Sequence, residues 1–424
     1  MAKSRTSFES ISYTEALEKI LARALPLSTE TVGLDAVLHR ITAEAIPVSA
    51  DDPPAAKSAM DGFALRSRDT AAAVPAKPMS FRYEEVVGAG HVSKGGVAGG
   101  GAVRIMTGAL MPPGADAVVK QEDTRENGPR QFTVAAPLHA GENVVSAGAA
   151  MRAGQPMLPD GEPVGAQGLS LLASQGITAI QVRRRPRLAV LSLGDELVEP
   201  GNPLQPGQLY VSNSYGLGAL ASGHGAETRG LGIAPDDPER IEAVLKNCLP
   251  AGDTANPAEL CDIVVTLGGT LQGDFDFVAD VLERLGAELH FRRTRINMGG
   301  STLMATLGRS MFFGLPGSPM PSWLAFETMV RPALWAMAGR ARIEREMFPA
   351  RLSEAVRLNP DRTYFLPCRL EFSPDAPPSA QPLTKGMTLT LPPSLLANGL
   401  IHWPDGQPSL PAGAEVPVEW LGAN

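Results

Sequence analysis

Between Arg187 and Pro319 the apolar residues form short unbroken runs, each closed by glycine and followed by residues at helical spacing. Leu188-Ala189-Val190-Leu191, Asp262-Ile263-Val264-Val265-Thr266-Leu267 and Met311-Phe312-Phe313 read as buried strands. They run into Ser192-Leu193-Gly194-Asp195-Glu196, Gly268-Gly269-Thr270 and Gly314-Leu315-Pro316-Gly317-Ser318-Pro319. Ser212-Asn213-Ser214 caps a small-residue helix to about Gly223, and Asp236-Asp237-Pro238-Glu239 starts another, with Pro238 at its first position. After Asp274-Phe275-Asp276, Val278, Val281, Leu282 and Leu285 share one helical face. Strand, turn, helix, repeated, predicts a parallel sheet covered by helices.

Elsewhere the pattern changes. Ser12 and Glu15 form a capping box before Leu17, Ile20, Leu21 and Ala24, and Leu34, Val37, Leu38 and Ile41 repeat the helical spacing. Both predicted helices carry narrow stripes with no adjacent core, so another chain is expected to cover them. From Phe81 to Val134 the segments are short, glycine-rich and alternating, which predicts a small β-rich domain entered through Asp61-Gly62-Phe63, with Thr107-Gly108 in a turn. Val164, Leu169, Leu171 and Leu172 mark a further helix ended near Gly176, and Arg183-Arg184-Arg185-Pro186 reads as a solvated hinge. The tail is proline-rich with short strands, which suggests a small β-barrel.

In parallel sheets ligands gather beyond the carboxyl ends of the strands. Glycine there lets backbone N–H groups approach an anion. Carboxylates in the same loops would repel a phosphate unless a cation lies between, and magnesium is the natural cation. Any one of these loops reads equally well as a plain turn; three together favour a phosphate site.

Composition narrows the class. With 424 residues, 44% of them apolar, the chain is globular and long enough for several cores. Its net charge of −8 argues against nucleic acid as the main partner. Cys248, Cys261 and Cys368 have no metal-ligand spacing and fit a reducing compartment. No signal peptide and no apolar run long enough to span a bilayer are visible, so a cytoplasmic location without membrane attachment is expected.

Several stretches together resemble one family, the molybdopterin molybdenumtransferases, which includes the gephyrin E domain. They are Ser58-Ala59-Met60-Asp61-Gly62-Phe63-Ala64, Arg104-Ile105-Met106-Thr107-Gly108-Ala109, Pro113-Gly114-Ala115-Asp116-Ala117-Val118-Val119, Gly194-Asp195-Glu196-Leu197, Leu315-Pro316-Gly317 and Ala397-Asn398-Gly399-Leu400-Ile401. The resemblance implies a multidomain α+β chain in four regions. These are an elongated helical segment (1–48 with 148–183), an inserted β-rich domain (49–147), an α/β domain with a mostly parallel sheet (184–338) and a C-terminal β-barrel (339–424). It implies a homodimer whose cleft is shared between subunits. It also implies Mg2+, insertion of molybdate into adenylylated molybdopterin with release of AMP, and a molybdopterin adenylyltransferase upstream.

By position, the resemblance assigns catalytic roles to Asp61, Thr107, Glu196, Asp236 and Asp276, with Glu196 and Asp276 near the metal. Asp61 reads also as a turn residue, Thr107 as a strand-end hydroxyl and Asp236 as a helix N-cap. The loops expected to hold the pterin nucleotide contain Gly194, Asp195, Ser212, Asn213, Gly268, Gly269, Thr270, Pro316, Gly317 and Ser318. Four places depart from the family pattern. Ala150 replaces an aspartate, Asn297 begins a loop in which the family has lysine, Ser318 replaces an asparagine, and Leu271 replaces a serine. Arg295 is the expected replacement cation, because on an extended chain Arg293 and Arg295 share the face of Asn297 while Arg292 points away. The competing reading is a paralogue that binds the pterin nucleotide or scaffolds other proteins without turnover.

Overall fold

The computed structural model describes residues 9–248, 260–269, 277–384, 390–403 and 406–422. The chain folds as two compact units, one made of 45–159 and 170–178, the other of 1–44, 160–169 and 179–424.

In the larger unit, six strands pair in the order Glu227–Ala234, Arg187–Leu193, Ile263–Leu267, Ser310–Leu315, Leu303–Leu307, Glu288–Phe291. The first four are parallel and the last two antiparallel. The three apolar runs are the central strands, and they are apolar throughout because both sheet faces are covered. Leu188, Val190, Ile263, Val265, Met311 and Phe313 face one core, shared with Leu217, Leu324, Phe326 and Leu334. Ala189, Leu191, Val264 and Phe312 face the other, built with Ile241, Leu245, Val278, Val281 and Leu282. The predicted helices form at Asn213–Gly223, Pro238–Lys246 and Phe277–Arg284. Pro319–Ala325 and Arg331–Met337 flank one π-helical turn at Phe326–Val330.

The tail closes into a five-stranded barrel in the order Met347–Leu352, Ala376–Pro382, Phe365–Ser373, Gly399–His402, Glu415–Trp420. Asn398 bridges it through both ends of its amide, accepting from the Leu370 N–H at 2.6 Å and donating to the Leu370 carbonyl at 3.1 Å. A buried ionic network ties sheet helix to barrel. Arg331 donates to Glu419 at 3.0 Å, Arg345 reaches Glu327 at 2.9 Å and Glu419 at 3.1 Å, and His402 meets Glu419 at 2.8 Å.

The smaller unit holds a six-stranded sheet ordered Ala117–Lys120, Gly62–Leu65, Gly101–Ile105, Met79–Val87, Gln131–Val134, Thr124–Gly128. Phe63 and Phe132 stack with centroids 3.9 Å apart on one face, while Ala64, Val87, Val103, Ile105 and Val118 fill the other. At Gly62 an added Cβ would collide with the Val119 carbonyl of the neighbouring strand, so no larger residue fits.

Two expectations need correction. Leu34–Ile41 is not a helix: Thr29–Gly33 is extended and pairs with Ala179–Arg183, and turns follow it, with His39 left-handed at φ +62°. The β-branched Thr29, Thr31 and Val32 and the run into Gly33 favour the ladder over a helix. The other helix forms at Tyr13–Leu21, with the Ser12 hydroxyl accepting from the Glu15 N–H, but its stripe is not left bare. Of its predicted stripe, Ile20 and Ala24, together with Ala16, belong to the core of the α/β sheet, while Leu17 and Leu21 are half-buried. The three cysteines are free and buried. Among the described residues no helix is long and apolar enough to cross a membrane.

Candidate functional site

Beyond the carboxyl ends of the 187–193, 263–267 and 310–315 strands lies a hollow of about 590 Å³, walled by their three glycine loops and the start of the Asn213–Gly223 helix. Gly268 has φ +99°, and a Cβ there would fall 2.9 Å from the Leu193 carbonyl, so the loop admits only glycine. The Asn213 amide donates to the Gly317 carbonyl at 2.7 Å and locks the helix start to the third loop. The Ser192 hydroxyl is buried in the wall without a hydrogen-bond partner.

Glu196 and Asp236 line this hollow, and Asp195 stands beside them, its carboxylate accepting from the Asp236 N–H at 3.3 Å. Burial, then the Asp195 and Glu196 charges, push the Asp236 carboxyl above its ordinary range. The N-cap reading of Asp236 is wrong. Asp237 is the cap, accepting from the N–H groups of Glu239 and Arg240 at 2.8 and 3.2 Å. Asp236 is therefore free to serve the hollow. Among the described residues no three His, Cys, Asp or Glu side chains converge as a ready metal cage. Thr270 and Asp276, both expected at the site, lie outside the described residues.

A second hollow, of about 790 Å³, shares Gly317 and Ser318 with the first. Its wall is basic: Arg293, Arg295 and Arg362, with Asp361 the one acid among its described lining residues. Asn297 lines it too, in a loop shaped by Gly299 at φ +93° and by the Thr302 hydroxyl donating to the Gly299 carbonyl at 2.6 Å. Arg292 turns away to Glu283 at 2.9 Å, as the alternation of an extended chain requires. Arg295 also donates to the Ser10 carbonyl at 2.6 Å. The Thr294 hydroxyl, 5% exposed, and the Asn297 amide nitrogen have no hydrogen-bond partners.

Asp61 and Thr107 belong to the smaller unit and are brought together there. One Asp61 oxygen accepts from both the Thr107 N–H at 2.7 Å and the Thr107 hydroxyl at 2.8 Å. Those bonds, the backbone one foremost, hold the Asp61 carboxyl below the ordinary range.

Sequence reasoning missed Arg362, which arrives from the C-terminal tail with no local motif to mark it. It missed Tyr210 and Ser192 as lining residues as well; only their nearness to Ser212 and Gly194 marked them.

Comparison with known proteins adds three family matches in chain order: the MoeA N-terminal region (domain I and II) at residues 11–176, a probable molybdopterin binding domain at 189–336, and the MoeA C-terminal region (domain IV) at 349–421. A molybdopterin molybdenumtransferase of Nostoc is 36% identical over 317 residues, 74% of this chain and 70% of its own length. One from Staphylococcus epidermidis is 32% identical over 344 residues, 81% of this chain and 80% of its own. A crystal structure of a molybdopterin biosynthesis MoeA protein from Pyrococcus horikoshii superposes with a TM-score of 0.84 at 31% identity, covering 98% of this chain and 100% of that one.

Proposed function

Because the chain belongs to the molybdopterin molybdenumtransferase family, we propose that it inserts molybdate into adenylylated molybdopterin and releases AMP, in the cytoplasm, downstream of a molybdopterin adenylyltransferase. The observation that carries this reading is the pair of hollows sharing one wall, carboxylates on one side of Gly317-Ser318 and arginines on the other. A phosphoanhydride needs a hard cation beside it, whereas a free oxyanion needs fixed positive charge.

The residues present fit Mg2+. Glu196 and Asp236 would hold it, with Asp276 as the further expected ligand. Two protein carboxylates completed by substrate phosphates and water is a usual magnesium set. Asp236 is raised first by burial and then by the Asp195 and Glu196 charges, and a cation placed beside the three carboxylates would offset that. When bound, the ion supplies positive charge against the phosphate oxygens as AMP leaves. Gly194, Gly268, Gly269 and Gly317 bring backbone close to those oxygens, and Ser212, Asn213, Asp195, Pro316 and Ser318 border the nucleotide. Asp61 and Thr107 act in the reaction as a hydrogen-bonded pair, a role that rests on the family resemblance.

Arg295 takes the place of the missing lysine in holding molybdate, which is substrate here. Burying that dianion needs donors or cations, and Asn297 offers only a neutral amide. The half-saturating molybdate concentration for AMP release should rise in Arg295→Ala, on the order of tenfold for one lost charged hydrogen bond, and fall in Asn297→Lys. Unchanged values in both variants would place the oxyanion elsewhere. The whole reading is tested by expressing the chain in cells that lack their own molybdenumtransferase. Restored molybdoenzyme activity supports turnover, and failure with intact pterin-nucleotide binding would favour the non-catalytic paralogue.

A homodimer and the four-region division expected from sequence are part of this proposal and rest on the family resemblance. Light scattering at micromolar concentration should give twice the chain mass, and a stable, active monomer would remove the shared-subunit site.

A further inference from the structure

The Arg183-Arg184-Arg185 stretch is not a solvated hinge. It forms one wall of a hollow of about 540 Å³ in the larger unit, completed by His39, Arg40, His224, Trp335 and Arg340. Five of its described lining residues are arginines, and none is Asp or Glu, in a chain whose net charge is −8. Two of the five are neutralised from behind. Arg184 makes paired bonds to Asp262 at 2.7 and 2.6 Å, and Arg40 meets Glu30 while donating to the Arg183 carbonyl at 2.9 Å. The other three have no carboxylate hydrogen-bonded to them among the described residues. Arg183 donates to the Leu27 carbonyl at 3.2 Å, Arg340 lies 4.0 Å over the Trp335 ring, and Arg185 meets no acceptor.

Three buried donors in this wall lack an acceptor among the described residues: Nε of Arg40, Nε of Arg183 and Nε1 of Trp335. Arg40 is 7% exposed and Trp335 8%, so water reaches neither side chain freely. Buried donors are normally paired, and clustered like charges in a recess are costly unless an anion offsets them. Guanidinium groups match the geometry of phosphate oxygens. The Trp335 face is already taken by Arg340, which leaves its edge N–H, not its ring, for a ligand.

We propose that this hollow is a second anion site, distinct from the molybdate-facing one, and that it takes a small phosphate compound, either free phosphate or diphosphate or the phosphate end of a metabolite. Arg185 and Arg340 supply charge not tied to a carboxylate, while Arg40, Arg183 and Trp335 supply buried donors. The volume lies within the range of small-molecule pockets and exceeds what one phosphate needs.

The test is calorimetric titration of the full chain with inorganic pyrophosphate, inorganic phosphate and citrate at low salt. Wild type is compared with Arg185→Ala, Arg185→Ala/Arg340→Ala, Trp335→Phe and Arg295→Ala, each checked for an unchanged thermal transition. Pyrophosphate affinity should fall about tenfold in Arg185→Ala, the scale of one charged hydrogen bond, and further in the double variant. Trp335→Phe keeps an aromatic ring, though a smaller one, loses the N–H and should weaken binding less. Arg295→Ala should keep this affinity, because it removes charge only from the other basic hollow. Equal binding by wild type and the double variant overturns the proposal, as does loss confined to Arg295→Ala, or no binding of either phosphate by wild type. Citrate binding tighter than pyrophosphate, lost in the double variant, overturns the phosphate assignment. If the single and double variants unfold, Trp335→Phe decides: unchanged pyrophosphate affinity there counts against the site.

Discussion

Glu196→Gln and Asp61→Asn should each slow AMP release by about 10²–10⁴-fold, the scale of a lost acid–base group, while leaving the fold intact. Glu196 is exposed and makes no contact on which packing depends, so glutamine removes charge from the hollow and little else. The loss should be larger at low than at high magnesium concentration, because a weakened cation site fills at higher metal. At Asp61 the substituted amide keeps an oxygen that accepts from the Thr107 N–H and hydroxyl, so the turn survives while the charge goes. Steady-state release of AMP from adenylylated molybdopterin measures both. Normal turnover in the two variants would remove these residues from the site.

The second large effect is on stability. Glu419 is 5% exposed and receives Arg331, Arg345 and His402. Burial opposes its charge, yet the His402 bond and the Arg331 and Arg345 charges outweigh it and hold the carboxyl below the ordinary range. Glu419→Gln would leave Arg331 and Arg345 facing Glu327 alone, an excess of buried positive charge. Breaking a buried pair from one side costs about 3–5 kcal/mol, which should appear as a large drop in the urea midpoint. The pH dependence has a fixed sign. A carboxyl lowered on folding contributes stability that is complete above the ordinary carboxylate range and lost as pH falls through its folded value. Wild type should therefore lose stability on acidification more steeply than Glu419→Gln. A variant as stable as wild type at neutral pH would show that the network adds nothing net.

The parts legible in the sequence are those where one local rule acts without competition. The central strands declare themselves because a strand covered on both faces is buried at every position and so nearly all apolar, as Ile263–Leu267 is but for Thr266. Asp237-Pro238 marks a helix start because proline needs no N–H there and the aspartate side chain satisfies the next ones. The edge strand Glu227–Ala234 escaped notice because half its neighbours are missing, so it is mostly exposed and tolerates two glycines. Leu34–Ile41 misled because four apolar residues happened to fall at helical intervals in a run of turns that follows the Thr29–Gly33 ladder. At the site, Glu196 and Asp236 were visible beside glycine loops, whereas Arg362 and the arginines from 183 to 185 gain meaning only from residues far away in sequence.

Gly317 and Ser318 deserve to be read as a partition as well as a loop. The same two residues face the acidic hollow on one side and the basic one on the other. A displacement of this loop that widened one chamber at the expense of the other would link their occupants, each altering the other's affinity by the same factor. A change of side chain at Ser318 is therefore expected to be felt in both compartments at once.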